Sequence, residues 1–366
     1  MTGTRPEAIK MVPVLTRLKR EPEQFEVIFG VTAQHRGLLD QVLGLFGVAP
    51  DLDLDLMRED QTLSELASRL FAEMDRVLER IGPDWLLVQG DTTTALCCAL
   101  AAFHRRIRVG HVEAGLRTGD LGAPFPEEMN RRVVDLVCAA GFAPTRRAAE
   151  TLAAEGLPRS RVHVTGNTVV DALLQIADRE GPAPEEDLVL ITAHRRESFG
   201  EPLEAIVRAV RRLAGAFPRT RFVHVVHPNP NVLAALRRIE GLPNVELSPP
   251  LDYRSLVNLL RRCRFALTDS GGIQEEAPTF RKPVLVLREK TERPEGIEAG
   301  IARLVGTDEE RIFSEASRLL EDEEARRGMS EGPNPYGDGR ASDRIADALA
   351  GRPYSPFAAA ASRALA

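Results

Sequence analysis

The chain has 366 residues, 43% apolar and 28% charged, enough for two compact domains and the balance of an ordinary globular protein, which excludes disordered and fibrous classes. A formal net charge of −6 leaves no basic excess for a nucleic-acid surface, and no apolar run approaches the roughly 20 residues of a membrane helix. Cys97, Cys98, Cys138 and Cys263 show neither metal-ligand spacing nor a disulfide framework, and no charged-then-apolar leader is present; together these features predict a cytoplasmic protein with no metal, membrane or nucleic-acid partner.

Short β-branched or apolar runs alternate with longer stretches of helical periodicity, the pattern of parallel α/β sheets. The first half offers strands at 25–31, 85–88, 108–112, 141–143 and 162–164, and the second at 188–191, 222–226, 245–247, 265–267 and 284–287. Between them a polar stretch, 178–186, carries Gly181, Pro182 and Pro184 and reads as a boundary. Two doubly wound, Rossmann-like sheets are expected. Open parallel sheets bind ligands beyond the carboxyl ends of their strands, so residues at those exits are the candidates for chemistry.

In chain order, Arg5 and Lys10 come first, in Gly-Thr-Arg-Pro-Glu-Ala-Ile-Lys. Gln-Gly-Asp-Thr-Thr-Thr then places Asp91 after the strand at 85–88, and His-Val-Glu-Ala-Gly-Leu-Arg places Glu113 after the next. Pro126 precedes Glu127 and Glu128, an acidic pair suited to the positive end of a helix dipole. Capping alone would account for such a pair, but carboxylates gathered around one site raise one another's pKa and oppose folding, which favours shared proton-transfer work.

In the second half, His194 stands with Arg195 and Arg196 after a strand, and His227 occupies a turn. Thr-Asp-Ser-Gly-Gly-Ile-Gln-Glu-Glu follows the strand at 265–267 and opens a helix. There the backbone of Ser270, Gly271 and Gly272 suits a diphosphate, and Glu276 suits a ribose hydroxyl. Neither Gly-x-Gly-x-x-Gly nor Gly-x-x-x-x-Gly-Lys-Ser/Thr is present, which points to a nucleoside diphosphate rather than a dinucleotide or triphosphate. Arg293, in Thr-Glu-Arg-Pro, adds a cation for that ligand's charge.

These segments resemble, in order and spacing, the non-hydrolysing UDP-N-acetylglucosamine 2-epimerase family, with matches at 3–10, 32–36, 90–93, 111–118, 124–131, 166–171, 194–197, 269–276, 291–295 and 334–339. The resemblance implies a GT-B-like fold: two Rossmann-like domains around a central cleft, 1–177 with a returning C-terminal helix 340–366, and 178–339 as the UDP-binding domain. It implies a homodimer and no redox cofactor. Asp91, Glu113, Glu127 and His194 match the family's catalytic positions. Arg5, Lys10, Ser270, Gly271, Gly272, Glu276 and Arg293 match substrate-binding ones, and Gln34 matches an activator contact.

The implied reaction is elimination of UDP across C1 and C2 to a 2-acetamidoglucal, then re-addition with the proton delivered to the opposite face, supplying cell-surface polysaccharide synthesis. Closure of the cleft would keep water from the glucal. The alternatives are a 2-epimerase of a UDP-2,3-diacetamido-uronic acid, which needs a cation near C6, a GT-B glycosyltransferase, which needs an acceptor pocket, and a binding protein without catalysis. Two departures stand out. The family places an apolar strand ahead of Gly-Thr-Arg-Pro-Glu, where this sequence has Met1 and Thr2. Gly37 and Asp60 occupy positions where a second activator-binding Gln and an Arg are expected.

Overall fold

The computed structural model describes residues 1–32, 36–58, 60–195 and 198–359, so Gln34 and Arg196 lie outside the described residues. Two compact units emerge, Met1–Ala172 with Gly337–Ala358, and Leu173–Tyr336. The first break falls inside a helix, ahead of the Pro-rich stretch where a boundary is expected.

The first unit runs α1 (Arg5–Lys19), β1 (Gly30–Val31), α2 (Arg36–Phe46), β2 (Leu52–Asp53), α3 (Leu63–Ile81), β3 (Trp85–Gln89), α4 (Thr93–His104), β4 (Arg108–Val112), α5 (Glu127–Val137), β5 (Ala140–Ala143), α6 (Arg146–Ala154), β6 (Val162–Val164) and α7 (Thr168–Glu180), the last shared with the second unit. Local chemistry sets the helix starts: the Thr92 hydroxyl accepts from Ala95 N–H at 3.0 Å to cap α4, and Thr145 caps α6 in the same way. Strands β3 to β6 pair in parallel in that order, while β1 and β2 pair with each other. Thr2 bridges in parallel to Val31, its N–H donating to Gly30 O at 3.1 Å and its carbonyl accepting from Thr32 at 3.0 Å, and the Met1 nitrogen donates to Leu87 O at 2.9 Å.

Met1 and Thr2 form a two-residue stub between β1 and β3. With the stub counted first, the order is that of a doubly wound sheet, reversing between the stub and β3. The strand expected at 25–31 is observed over Gly30–Val31. Alternation along β3 splits the core in two. Leu86 and Val88 pack with α4 residues, while Leu87 joins Met11 and Val14 of α1 and Phe142.

The second unit continues with β7 (Leu188–Thr192), α8 (Glu201–Ala216), β8 (Arg221–Val225), α9 (Pro230–Leu236), β9 (Val245–Ser248), α10 (Tyr253–Arg262), β10 (Phe265–Thr268), α11 (Gly271–Glu276), β11 (Val284–Val286), α12 (Pro294–Glu298), β12 (Ala302–Leu304), α13 (Glu309–Glu321) and α14 (Glu323–Ser330). Its six parallel strands are ordered β12-β11-β10-β7-β8-β9, so the order reverses between β7 and β10. The apolar run of β7 serves both faces: Val189 and Ile191 pack with Leu203 and Ile206 of α8 and Ile312 of α13, Leu188 and Leu190 with Leu260 of α10 and Ile273 of α11. Two short strands, β2 and β12, are absent from the sequence expectation; Leu-Asp and Ala-Arg-Leu carry no apolar run to announce them.

At the C-terminus, α15 (Ala341–Leu349) belongs to the first unit, where the Asp171 carboxylate accepts from Ser342 N–H at 2.8 Å and Ala341 N–H at 3.2 Å. Of the helix expected over 340–366, the described residues are helical over Ala341–Leu349, and Pro353 and Pro356 follow it.

Candidate functional site

In the first unit the candidate side chains leave the sheet beside its reversal point. Arg5 follows the stub and Asp91 follows β3. Arg5 is half-buried, and its side chain makes no hydrogen bond or ion pair among the described residues. The start of α1 is fixed by Glu7, a buried carboxylate that accepts from Gly3 N–H at 3.0 Å, Thr4 N–H at 2.7 Å and the Thr92 hydroxyl at 2.8 Å. Burial pushes the Glu7 carboxyl above its ordinary range in spite of those donors.

Lys10, one turn and a half along α1 from Arg5, pairs with Glu113, which also accepts from Asn167 Nδ2 at 3.4 Å. Glu113 itself has φ +68°, a left-handed backbone that a non-glycine residue adopts at a cost, and its N–H and that of Ala114 both donate to Phe142 O, at 3.0 and 3.1 Å. Asp91 is held from α5: Arg131 pairs with its carboxylate, and Asn130 Nδ2 donates to its backbone carbonyl at 2.8 Å. The acidic pair at the head of α5 divides in role. Glu128 is buried and accepts from Thr118 N–H at 3.1 Å, Gly119 N–H at 3.2 Å and Arg131 at 3.2 Å, closing the preceding loop. Glu127 is half-buried and has no side-chain partner among the described residues, which leaves its carboxylate available.

In the second unit, His194 follows β7 and Asp269 follows β10, on either side of the reversal point where doubly wound sheets take their ligands. The N–H groups of His194 and Arg195 donate to Asp269 Oδ2 at 2.6 and 2.7 Å, and the His194 ring stacks on His227, centroids 5.3 Å apart. Burial, with smaller contributions from His227 and Arg195, holds the His194 imidazole below its ordinary pKa against the pull of Asp269, which favours the neutral ring.

Ser270 opens α11, its N–H bonded to the Thr268 hydroxyl at 2.9 Å. A Cβ on Gly271 would stand 3.0 Å from Arg293 Cζ, so only glycine lets the guanidinium lie this close to the helix N-terminus. Arg293 donates to Glu275 Oε1 at 2.9 Å and to Glu292 Oε1 at 2.6 Å, and Arg288 donates to Glu292 Oε2 at 2.6 Å. Burial opposes ionisation of Glu292, but Arg293 and Arg288 outweigh it and bring its pKa down to about 2. Tyr336 braces this loop by accepting from Gly296 N–H at 3.0 Å and donating to Arg293 O at 3.3 Å. Glu276 is buried, with Tyr253 donating to its Oε1 at 3.4 Å.

Asp91, Glu113, His194 and Ser270 stand at strand exits, whereas Lys10 lies within α1, Glu127 at the head of α5, Glu276 at the end of α11 and Arg293 ahead of α12. The structure adds residues that motif reading assigns no role: Glu7, Asn130, Arg131 and Asn167 around the carboxylates, Asp269, Arg288, Glu292 and Tyr336 around the cradle. Most of them lie in or beside a matching segment, which is the signal that could have found them; Tyr336 stands in the segment at 334–339, 43 residues beyond Arg293.

Comparison with known proteins agrees with this geometry. The profile of the UDP-N-acetylglucosamine 2-epimerase family matches residues 16–350. The UDP-N-acetylglucosamine 2-epimerase of Salmonella typhimurium is 48% identical over 363 residues, covering 95% of this chain and 96% of that one. The crystal structure of the UDP-GlcNAc 2-epimerase of Neisseria meningitidis bound to UDP-GlcNAc superposes with a TM-score of 0.87 at 42% identity, covering 95% of this chain and 98% of the other. A Listeria monocytogenes structure described as a putative UDP-N-acetylglucosamine 2-epimerase gives a TM-score of 0.88 at 43% identity and 95% coverage of both chains. Strand exits lined with carboxylates in one sheet, a glycine–arginine cradle in the other and these relatives lead to one conclusion: the chain belongs to the UDP-N-acetylglucosamine 2-epimerase family.

Proposed function

We propose that this enzyme interconverts UDP-N-acetylglucosamine and UDP-N-acetylmannosamine by inverting C2, and that it works in the cytoplasm to supply cell-surface polysaccharide synthesis. UDP leaves C1 with the bonding electron pair while a carboxylate takes the C2 proton, giving a 2-acetamidoglucal. UDP then re-adds at C1 as a proton reaches the opposite face of C2. The C2–H is a weak acid, so stabilising the departing diphosphate lowers the main barrier.

Ser270, Gly271, Gly272, Arg293 and the neutral His194 receive the diphosphate, Glu276 takes the ribose, and Arg5 and Lys10 bring further positive charge. Asp91, Glu113 and Glu127 move the proton. The observation that carries this reading is the Gly271–Arg293 approach, which sets a guanidinium against unblocked N–H groups at a helix start, in a chain whose other sheet presents carboxylates at its exits. Incubation with UDP-N-acetylglucosamine in heavy water tests it: deuterium should appear at C2 in both epimers, and failure of the folded protein to exchange would sink the reading.

The active form is proposed to be a homodimer. The outer side of α5 leaves Leu136 79% exposed and Met129 38% exposed, and Phe125 ahead of it is 70% exposed, an apolar surface suited to a second copy. Sedimentation should give twice the mass of the 40.2 kDa chain, and Leu136→Lys should shift it toward the monomer. A wild-type monomer would refute the dimer. The four cysteines are buried free thiols, each raised by burial to about 12, which suits a reducing compartment. Among the described residues no helix is long and apolar enough to cross a membrane.

A further inference from the structure

His111 is the one histidine of the first sheet's interior that has polar partners at both ring nitrogens and no assigned task. It lies on β4, two residues before Glu113, with no exposed surface. Its Nε2 is 2.8 Å from the Gly90 carbonyl, at the exit of β3 and one residue before Asp91. Its Nδ1 is 2.6 Å from Asp135 Oδ1, on α5, eight residues after Glu127. The other Asp135 oxygen, Oδ2, accepts from Gly115 N–H at 3.2 Å and from Arg117 at 2.8 Å. Asp135 is 4% exposed.

The proton count of this arrangement is fixed by its acceptors. A backbone carbonyl cannot donate, so Nε2 must carry a hydrogen. A carboxylate facing Nδ1 at this distance needs a donor there too, or two lone pairs would meet in a buried place. The Gly115 N–H and Arg117 on its other oxygen favour the ionised Asp135, so geometry puts the second hydrogen on the ring. The ring is then a double donor, enclosed by the Gly90 carbonyl on the β3 side, Asp135 on the α5 side and Arg117 beyond that carboxylate.

This ring joins the three segments that bear the proposed proton-transfer groups: the loop of Gly90 and Asp91, the turn of Glu113 to Gly115, and helix α5 that starts at Glu127. We propose that His111, doubly protonated and clamped between Gly90 and Asp135, is the positioning residue that fixes Asp91, Glu113 and Glu127 relative to one another. A neutral histidine, with one donor, could hold only one of the two neighbours. The inference rests on the proposed role of the three carboxylates, and misplacement by about 1 Å can lower a rate on the order of 100-fold.

Two substitutions separate the two contacts. In His111→Gln the amide reaches the place of Nε2 and can still donate to Gly90; in His111→Asn it reaches only the place of Nδ1 and can still donate to Asp135. With UDP-N-acetylglucosamine as substrate, His111→Asn and His111→Gln, each keeping one contact and losing the other, should each lower kcat by about 10- to 100-fold with KM little changed. Nitrogen-15 spectra of the unaltered chain should show a hydrogen on both His111 ring nitrogens. A lone pair on either nitrogen overturns the proposal, and so does a wild-type kcat in either variant. The spectrum needs no turnover. A chain that fails to exchange at C2 would therefore refute the function while the histidine's state is still decided.

Discussion

The two sheets share one strand order and solve the positioning of their site residues in different ways. In the second, the central strand β7 is five residues long and buried throughout, and its exit is held by backbone: two consecutive N–H groups donate to Asp269 across the reversal point. In the first, the central position holds Met1 and Thr2, and the exits are held by side chains, with Lys10 on Glu113, Arg131 on Asp91, and Glu7 tying α1 to Thr92. On the proposed reading, the first unit supplies the groups that move protons and the second the seat for the diphosphate.

This difference predicts a division of effects, which the largest of them can break. Asp91→Asn, Glu113→Gln and Glu127→Gln should each lower kcat on the order of 10²- to 10⁴-fold while UDP affinity, read by calorimetry, stays near wild type. Loss of UDP binding in any of the three would move that residue into the ligand seat and end the division. Next in size is an acid effect in the second sheet. His224 on β8 is buried, which, with a smaller effect of His194, brings its pKa down to about 4 against an unfolded value of about 6.5. Between those values the unfolded chain binds more protons, so stability is complete above pH 6.5 and falls by about 3 kcal/mol as pH drops to 4. Urea unfolding across that range should show the decline in wild type and a flatter curve in His224→Leu; an equal slope in both would assign the acid lability elsewhere.

Much of this was legible in the sequence, and the exceptions have physical causes. The continuous runs at 188–191 and 265–267 announce fully buried parallel strands, and the residues at their exits stand at the reversal point. The run at 25–31, interrupted by Glu26, forms a strand only over Gly30–Val31. Glu127 and Glu128 look alike in sequence; only the loop folded onto Glu128 separates a clamp from an available acid. Asp135, outside every matching segment, reaches His111 across 24 residues, a contact that no local spacing encodes.

A smaller effect sharpens the other side of the division. Arg293→Ala removes a charged donor from the anion seat and should weaken UDP binding about 10- to 100-fold, the cost of one charge-assisted hydrogen bond. Exchange of deuterium at C2 by bound substrate should fall as well, because the proposed guanidinium role is to stabilise the departing diphosphate. If exchange at saturating substrate is unchanged, the guanidinium acts on ground-state binding alone.

The least effect concerns the stub itself. A Cβ on Gly3 would stand 2.4 Å from the Thr94 hydroxyl and 2.7 Å from that of Thr32, two buried groups that bond each other at 3.1 Å. Both are β-branched and have few rotamers to escape into. Gly3→Ala should therefore force the stub away from β1 and the start of α4, costing about 1–3 kcal/mol as overpacking. Because Gly3 also donates to Glu7, the shift would loosen the turn that carries Arg5. Thermal unfolding should register the loss, and kcat should fall with it. Unchanged stability would mean that the two threonines can part freely, and that the side-chain ties from Glu7 and Lys10, rather than the two-residue ladder, hold the first exit in place.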